Sequence, residues 1–370
     1  MMKFSIPILP RFLSTQFLRA FGLVFFSIIG IILLFSVIRS LAITGKDGAA
    51  IPFAVVMRLG IYEVLKTLTA TLPLSVLLSG HLAFWRLSRT SELVIIRSIG
   101  ISVWGFLMPI ILVCMGIGII NFSIISPISA AYSQRMAHER FAHAITSHNP
   151  MVFSQTGLWL RERNEATQSF LYAESIRKEG DALKATGITI FITNSRGDFL
   201  RRVEGASGVL KNGELRLSDV ETFDTRLELR ILPEYVFDTS LSAEKIEESA
   251  SEPDKFSFWE LPSFISFFEE SGFSAKKHRQ YFYTLLFMPL TLVALLFVSA
   301  LFSISPARSQ KGLMLKLSGG VMLGFVVFFM DQVVRAIGTS GHIPLLPSSV
   351  IVPLITLIVC TTVLLHQEDG

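Results

Sequence analysis

Apolar and polar positions divide the chain into three blocks. Six apolar runs, each near the ~20 residues a hydrocarbon core requires, lie at roughly 17–38, 66–85, 101–125, 282–304, 313–335 and 348–366. Three precede the insertion 126–281 and three follow it. Within the insertion the period changes from helical to twofold. "GLWLRE" (157–162), "SFLYAESIR" (169–177), "ITIFITN" (188–194), "DFLRRVEGASGVLKNGELRLSDVETF" (198–223) and "RLELRIL" (226–232) read as strands. Turn signals at Ser195-Arg196-Gly197-Asp198 and Lys211-Asn212-Gly213 separate them. Short strands with regular turns predict a β-sandwich or jellyroll-like sheet. "AYSQRMAHERFAH" (131–143) reads as a helical exit from the third run, and "SAEKIEESASEPDK" (242–255) as an acidic linker. "WELPSFISFFEESG" (259–272) reads as a short amphipathic helix ending at Gly272.

The expected fold is therefore an α-helical membrane protein of six transmembrane helices, 3+3, with an inserted all-β jellyroll-like domain. Residues 1–135 hold helices one to three, 136–258 the β domain, and 259–370 the amphipathic helix and helices four to six. The first run has the look of a signal peptide, but its apolar stretch is long and "SLAITG" is a poor cleavage site, so it reads as a retained helix.

Composition agrees. With 370 residues, 51% hydrophobic, and a mean hydropathy of +0.56, the chain is too apolar for a soluble protein. It is also too polar for membrane helices alone. A net charge of +4 with scattered basic residues gives no footprint for nucleic acid. Cys114 and Cys360 both fall inside apolar runs, so neither a disulfide framework nor a thiol metal site is indicated. Arg11 and Arg19, then Arg86, Arg89 and Arg97, then Arg308, Lys311 and Lys316 place the same set of loops on the cytoplasmic side and the insertion on the other. The first outer loop breaks the rule, with Arg39, Lys46 and Arg58 against Asp47 alone.

Catalytic chemistry finds little support. Gly45-Lys46 is followed by Asp47 and lacks the earlier glycine of a phosphate loop, so the chain does not hydrolyse ATP by itself. Gly116-Ile117-Gly118 is better explained by helix packing than by a dinucleotide. His138, His143 and His148 recur every five residues, and five residues turn a helix roughly 140° past a full turn, so they share no face. No Ser-His-Asp arrangement or G-x-S-x-G elbow is present. The sequence predicts no metal, no catalytic residue and no cofactor on this chain.

Charges at the outer ends of the runs carry more. Arg39 ends the first, Arg58, Glu63 and Lys66 begin the second, and Asp331 and Arg335 close the fifth. Local pairing, Glu63 with Lys66 and Asp331 with Arg335, is one reading. The other is a basic rim of Arg39, Arg58, Lys66 and Arg335 for the head group of an anionic amphiphile, since arginine suits phosphate. Pro73 lies mid-run in the second helix, as a packing kink or as a hinge in a moving wall. Gly320-x-x-x-Gly324 permits close helix contact.

Between the second and third runs lies "SRTSELVIIRSIG" (88–100), too short to span and too apolar for an ordinary loop. Thr90 or Ser91 is placed to cap a helix, with Glu92 in its first turn and Leu93, Ile96 and Gly100 following at helical spacing. Two or three turns do not stand alone in water. The helix lies on the membrane or enters a groove on another protein, and Glu92 favours the groove, because an anionic lipid surface repels it.

These residues together resemble the LptF/LptG permeases, the membrane subunits of an ABC-type lipopolysaccharide exporter. "SELVIIRSIGIS" (91–102) resembles the family's cytoplasmic coupling helix, and "LPSFISFFEESG" (261–272) its segment before the fourth span. "SGGVMLGFVVFFMDQV" (318–333) resembles the fifth span of the LptG branch. The likeness covers nearly the whole chain and rests on the order and spacing of these motifs. It implies an inner-membrane protein with a periplasmic β domain, paired with an LptF-like permease. An LptB-like ATPase dimer would bind ATP and magnesium in place of this chain, and an LptC-like single-span protein would take the lipid onward. Carried over, Glu92, Leu93, Ile96 and Arg97 would insert into the ATPase. Where the family leads one to expect a lysine and an aspartate late in the first span, this chain has Ser36 and Arg39.

A rival from another class is a non-transporting sensor or assembly scaffold with a ligand-binding β domain. It matches the layout but has no use for the acidic, apolar helix at 88–100. An ion-coupled flippase would want a carboxylate near the bilayer midplane, and Glu63 and Asp331 lie toward the ends.

Overall fold

The computed structural model describes residues 8–47, 53–90, 92–142, 151–154, 157–163, 167–179, 182–194, 198–211, 213–224, 229–239, 252–303 and 310–369. It divides into two compact units. A helical unit comprises Met1–Met136, Phe256–Trp259 and Gln280–Gly370, and a β unit Ala137–Lys255 and Glu260–Arg279.

The helices in chain order are α1 (Ile8–Asp47), α2 (Phe53–Arg89), α3 (Glu92–Ser98), α4 (Val103–Ile120), α5 (Ser126–Ala142), α6 (Leu261–Glu270), α7 (Lys276–Leu286), α8 (Met288–Ser303), α9 (Gln310–Thr339) and α10 (Leu345–Asp369). A π-helical turn, Asn121–Ile125, joins α4 to α5, so they form one continuous span. Among the described residues five helices are long and apolar enough to cross a membrane, or six if the pair α7 and α8, bent by 55°, is one broken span. The fourth apolar run, expected as one helix, is therefore broken at Phe287. Pro289 stands just after the break: it has no N–H to offer the Leu285 carbonyl, so the helix does not run on unbroken, and it is tolerated in the first turn of the new helix.

One hydrophobic core runs through the helical unit. It includes Leu13 and Phe17 of α1, Leu72, Leu77 and Phe84 of α2, Phe106 and Ile110 of α4, and Leu292 and Leu296 of α8. Small residues let the backbones close. Gly80 of α2 leaves room for Ser299, whose hydroxyl donates to the Leu77 carbonyl at 2.8 Å. The Gly320/Gly324 pair does what its spacing suggested: Gly320 faces His81 and Phe302, and Gly324 faces Leu77.

In the β unit, seven antiparallel strands form one sheet in sequence order. They are β1 (Met151–Ser154), β2 (Gly157–Arg163), β3 (Thr167–Glu179), β4 (Ala182–Asn194), β5 (Phe199–Lys211), β6 (Glu214–Asp224) and β7 (Leu229–Asp238). The all-β class is as expected, and the connectivity is that of a meander, simpler than the crossing connections of a jellyroll. β1 was missed, being only four residues long.

The sheet is creased. Pairing skips one residue in each of five neighbouring strands, and the skipped residues Glu174, Gly187, Ala206, Asp219 and Pro233 form a single row. Across that row the buried alternation slips by one: Leu183 and Ala185, then Ile188 and Ile190; Leu215 and Leu217, then Val220. Two members take positive φ, Gly187 at 61° and Asp219 at 54°. Such a slip turns a flat sheet's outward residues inward, so both halves bury apolar side chains on the same side.

Helix α6 buries Leu261, Ile265 and Phe268 at helical spacing. Gly272, at φ 83°, ends it, and the carbonyl of Ser271 accepts from the Lys178 N–H at 3.0 Å, fixing it to the end of β3. Residues 242–251 of the acidic linker, and residues 195–197, 212 and 226–228 of the expected turns and strands, lie outside the described residues.

Candidate functional site

The segment 88–100 forms the expected helix in shorter form. Thr90 closes α2 in place of capping α3: its N–H and hydroxyl both reach the Arg86 carbonyl at 3.0 Å. Ser91 lies outside the described residues. Gly100, at φ 83°, ends the segment, and Ser102 caps α4 by accepting from the Gly105 N–H at 3.2 Å. Glu92 opens α3, half-buried, with Oε2 shielded from solvent and without a hydrogen-bond donor among the described residues. Leu93 and Arg97 belong to the same helix, and their side chains lie outside the described residues. Ile96, expected to reach outward, instead belongs to the core of its own unit. The exposed apolar residues are its neighbours Ile95, 57% exposed, and Ile99, 67% exposed. The helix is thus keyed to the core through one face and offers apolar surface on another.

The four cations of the expected rim fall into two environments. Arg39 of α1 and Arg58 and Lys66 of α2 are exposed. The register between α1 and α2 is fixed at Gly60, which packs on Leu33 and Val37, so Arg39 and Arg58 stand within about a turn of the same level. Tyr132 donates its hydroxyl to the Arg58 carbonyl at 3.3 Å, tying α5 to that level. Arg335 differs: it is buried, paired with Asp331 one turn earlier on α9, and donates to the Thr291 hydroxyl of α8 at 3.3 Å. Its place is the local pairing weighed for it from the sequence, inside the bundle.

Pro73 is buried in an α2 that continues as one element to Arg89. One turn before it, Thr69 donates its hydroxyl to Oδ1 of Asn121 at 3.1 Å. Sequence reasoning passed over Asn121, although a single carboxamide within "GIGIINFSII" was the available signal. It also passed over a polar cluster in which Gln280 donates to Ser349 at 2.8 Å and accepts from Ser348 at 3.1 Å.

Among the described residues no group of three or more His, Cys, Asp or Glu is placed to hold a metal. His143 and His148 lie outside those residues.

The model of the lipopolysaccharide export system permeases LptF/LptG matches residues 11–366. The chain is similar to the lipopolysaccharide export system permease protein LptG of Escherichia coli K12, 25% identical over 309 residues, 78% of this chain and 82% of that protein. It is also similar to LptG of Haemophilus influenzae Rd, 21% identical over 374 aligned residues, 98% of this chain and 99% of that protein.

Proposed function

The chain belongs to the LptF/LptG family of lipopolysaccharide export permeases, and from that premise we propose that it is one half of a permease pair driven by ATP hydrolysis on a separate subunit. It is a multi-pass inner-membrane protein of the lipopolysaccharide export system, a permease subunit and not a catalyst on its own.

The observation that carries the proposal is α3. A seven-residue helix does not hold itself in water, and a shielded carboxylate oxygen without a donor is costly. A groove on an ATPase, lined by apolar side chains and one basic group, relieves both. Ile95 and Ile99 supply the apolar contact and Glu92 the charge. Ile96, seated in the core, transmits the displacement. Closure of an LptB-like ATPase dimer on ATP and magnesium moves α3 and narrows a cavity shared with an LptF-like permease. Lipopolysaccharide held there is driven outward to the β unit, in the periplasm, and to an LptC-like single-span protein. Arg39, Arg58 and Lys66 meet its phosphates as charge-assisted donors.

The test is a pull-down of tagged chain from solubilised membranes, wild type against Glu92→Ala. Co-elution of an ATPase and a second permease with wild type, and loss of the ATPase alone with the variant, supports the coupling role. Equal ATPase recovery and equal export in both would sink it.

A further inference from the structure

Three helices of the helical unit are irregular at one level. In α2, Pro73 has no N–H to offer the carbonyl of Thr69. In the α4–α5 span the helix widens to a π turn, where the Ser126 N–H reaches back five residues to the Asn121 carbonyl. In the third, α7 and α8 meet at 55° around Phe287. Two contacts bring these points together: the Thr69–Asn121 hydrogen bond at 3.1 Å, and Gly118, where a β-carbon would stand 2.6 Å from the Pro289 Cα.

Most of the hydrophobic core on these helices lies to one side of the same level. Its members Val76–Leu87 in α2, Val103–Cys114 in α4 and Met288–Ala300 in α8 lie on the side of the junction that carries α3, while Leu68 and Leu72 of α2 reach past Pro73 to the other side. Beyond it, Val55, Val56, Leu59, Tyr62, Ala130 and Leu285 are buried but lie outside that cluster. The α3 side holds the larger share of the packed core, and the far helix ends join it through Leu68, Leu72 and the partly buried Ile125. At the boundary Asn121 is wholly buried and its Nδ2 has no acceptor among the described residues. A carboxamide donor left unmade in an apolar interior costs free energy, which an arrangement that offers it an acceptor recovers.

Building on the exporter reading above, we infer that Asn121 is a positioning residue for transport: with Thr69 it forms the pivot on which the far ends of α2, α5 and α7 swing against the α3-bearing body. Bending at Pro73, at the π turn and at Phe287 breaks few backbone bonds, because those bonds are already missing or displaced there. Displacement of α3 then moves the packed body as one piece, and the junction converts it to an angular change of the far ends. Asn121 exchanges the Thr69 bond of this arrangement for one made through its spare Nδ2–H in the other.

The experiment uses the whole exporter, with its ATPase and partner permease, in vesicles containing lipopolysaccharide, and compares wild type, Asn121→Leu and the near-isosteric Thr69→Val. ATP hydrolysis and lipopolysaccharide release are read side by side. Hydrolysis within about twofold of wild type with release per ATP reduced about fivefold or more in both variants is the expected result. Release per ATP unchanged in Thr69→Val overturns the pivot. Amide exchange of the chain alone in nanodiscs, which needs no ATPase, gives a second reading. Amides of 121–126 and 286–288 are expected to exchange roughly tenfold faster than those of 106–114 and 292–299, and uniform protection overturns the inference. If no ATPase co-purifies, the coupling reading fails by itself and the exchange contrast still decides the pivot.

Discussion

Asp331 and Arg335 meet inside the helical unit, Oδ2 to Nη2 at 2.8 Å, with side chains 4% and 8% exposed. The pair lies one turn apart on α9, and its second anchor is the Thr291 hydroxyl on α8. Two charges taken out of water cost several kcal/mol each, and their attraction offsets this only while both are present. The pair therefore holds α9 against α8 in one register more than it adds net stability.

Asp331→Asn keeps an amide oxygen for Arg335 but leaves its charge buried without a counter-charge. The expected loss is about 3–5 kcal/mol, read as a lowered apparent melting temperature in detergent. The double variant Asp331→Leu with Arg335→Met, which removes both charges, is expected to melt closer to wild type than either single variant. A double variant that melts below both singles would mean that the pair contributes net stability.

The crease in the β unit predicts a second asymmetry. Gly187 combines φ 61° with a Glu174 carboxylate oxygen 2.7 Å from where a β-carbon would stand. Gly187→Ala adds backbone strain and a contact, together about 1–3 kcal/mol. Asp219, in the same row at φ 54°, pays part of that strain already, so Asp219→Gly is expected to be neutral or stabilising. Amide exchange of β4 and β6 in the full chain tests both, with protection falling for Gly187→Ala and kept for Asp219→Gly. Equal losses would mean that the row is an ordinary part of the sheet.

The crease also explains what the sequence conveyed of this fold and what it hid. Six apolar runs near membrane length and a twofold period between them were enough for the 3+3 plan and the β insertion, because burial in lipid or in a sheet forces those periods. Strand β4 read as starting at Ile188, since alternation before Gly187 runs in the opposite phase, and period counting treats a phase slip as an end. The polar neighbours Glu174-Ser175 and Ser218-Asp219 were the visible trace of that slip. The break at Phe287 was legible in Pro289, but a run of apolar residues on both sides masked it. At the site, Glu92 was marked by its charge inside an apolar stretch. Which isoleucine of α3 faces inward was not, because Ile95 and Ile96 are adjacent and only packing against α2 distinguishes them.

The exposed and buried cations separate by experiment. Arg39, Arg58 and Lys66 stand at the surface of α1 and α2, where loss of one charge changes stability little, within about 0.5 kcal/mol. If they hold phosphates, each alanine variant weakens lipopolysaccharide binding by about three- to tenfold, and the deficit shrinks with rising salt because exposed charges are screened. Arg335→Ala is expected to do the reverse: to lower the melting temperature by stranding Asp331, with a binding defect that salt leaves unchanged. Measuring lipid binding at two ionic strengths together with melting for the four variants distinguishes the groups. A salt-insensitive defect in Arg39→Ala or Arg58→Ala would remove those residues from the head-group site. The positive surface would then be a matter of topology alone, since the same charges also bear on how the first outer loop is placed across the membrane.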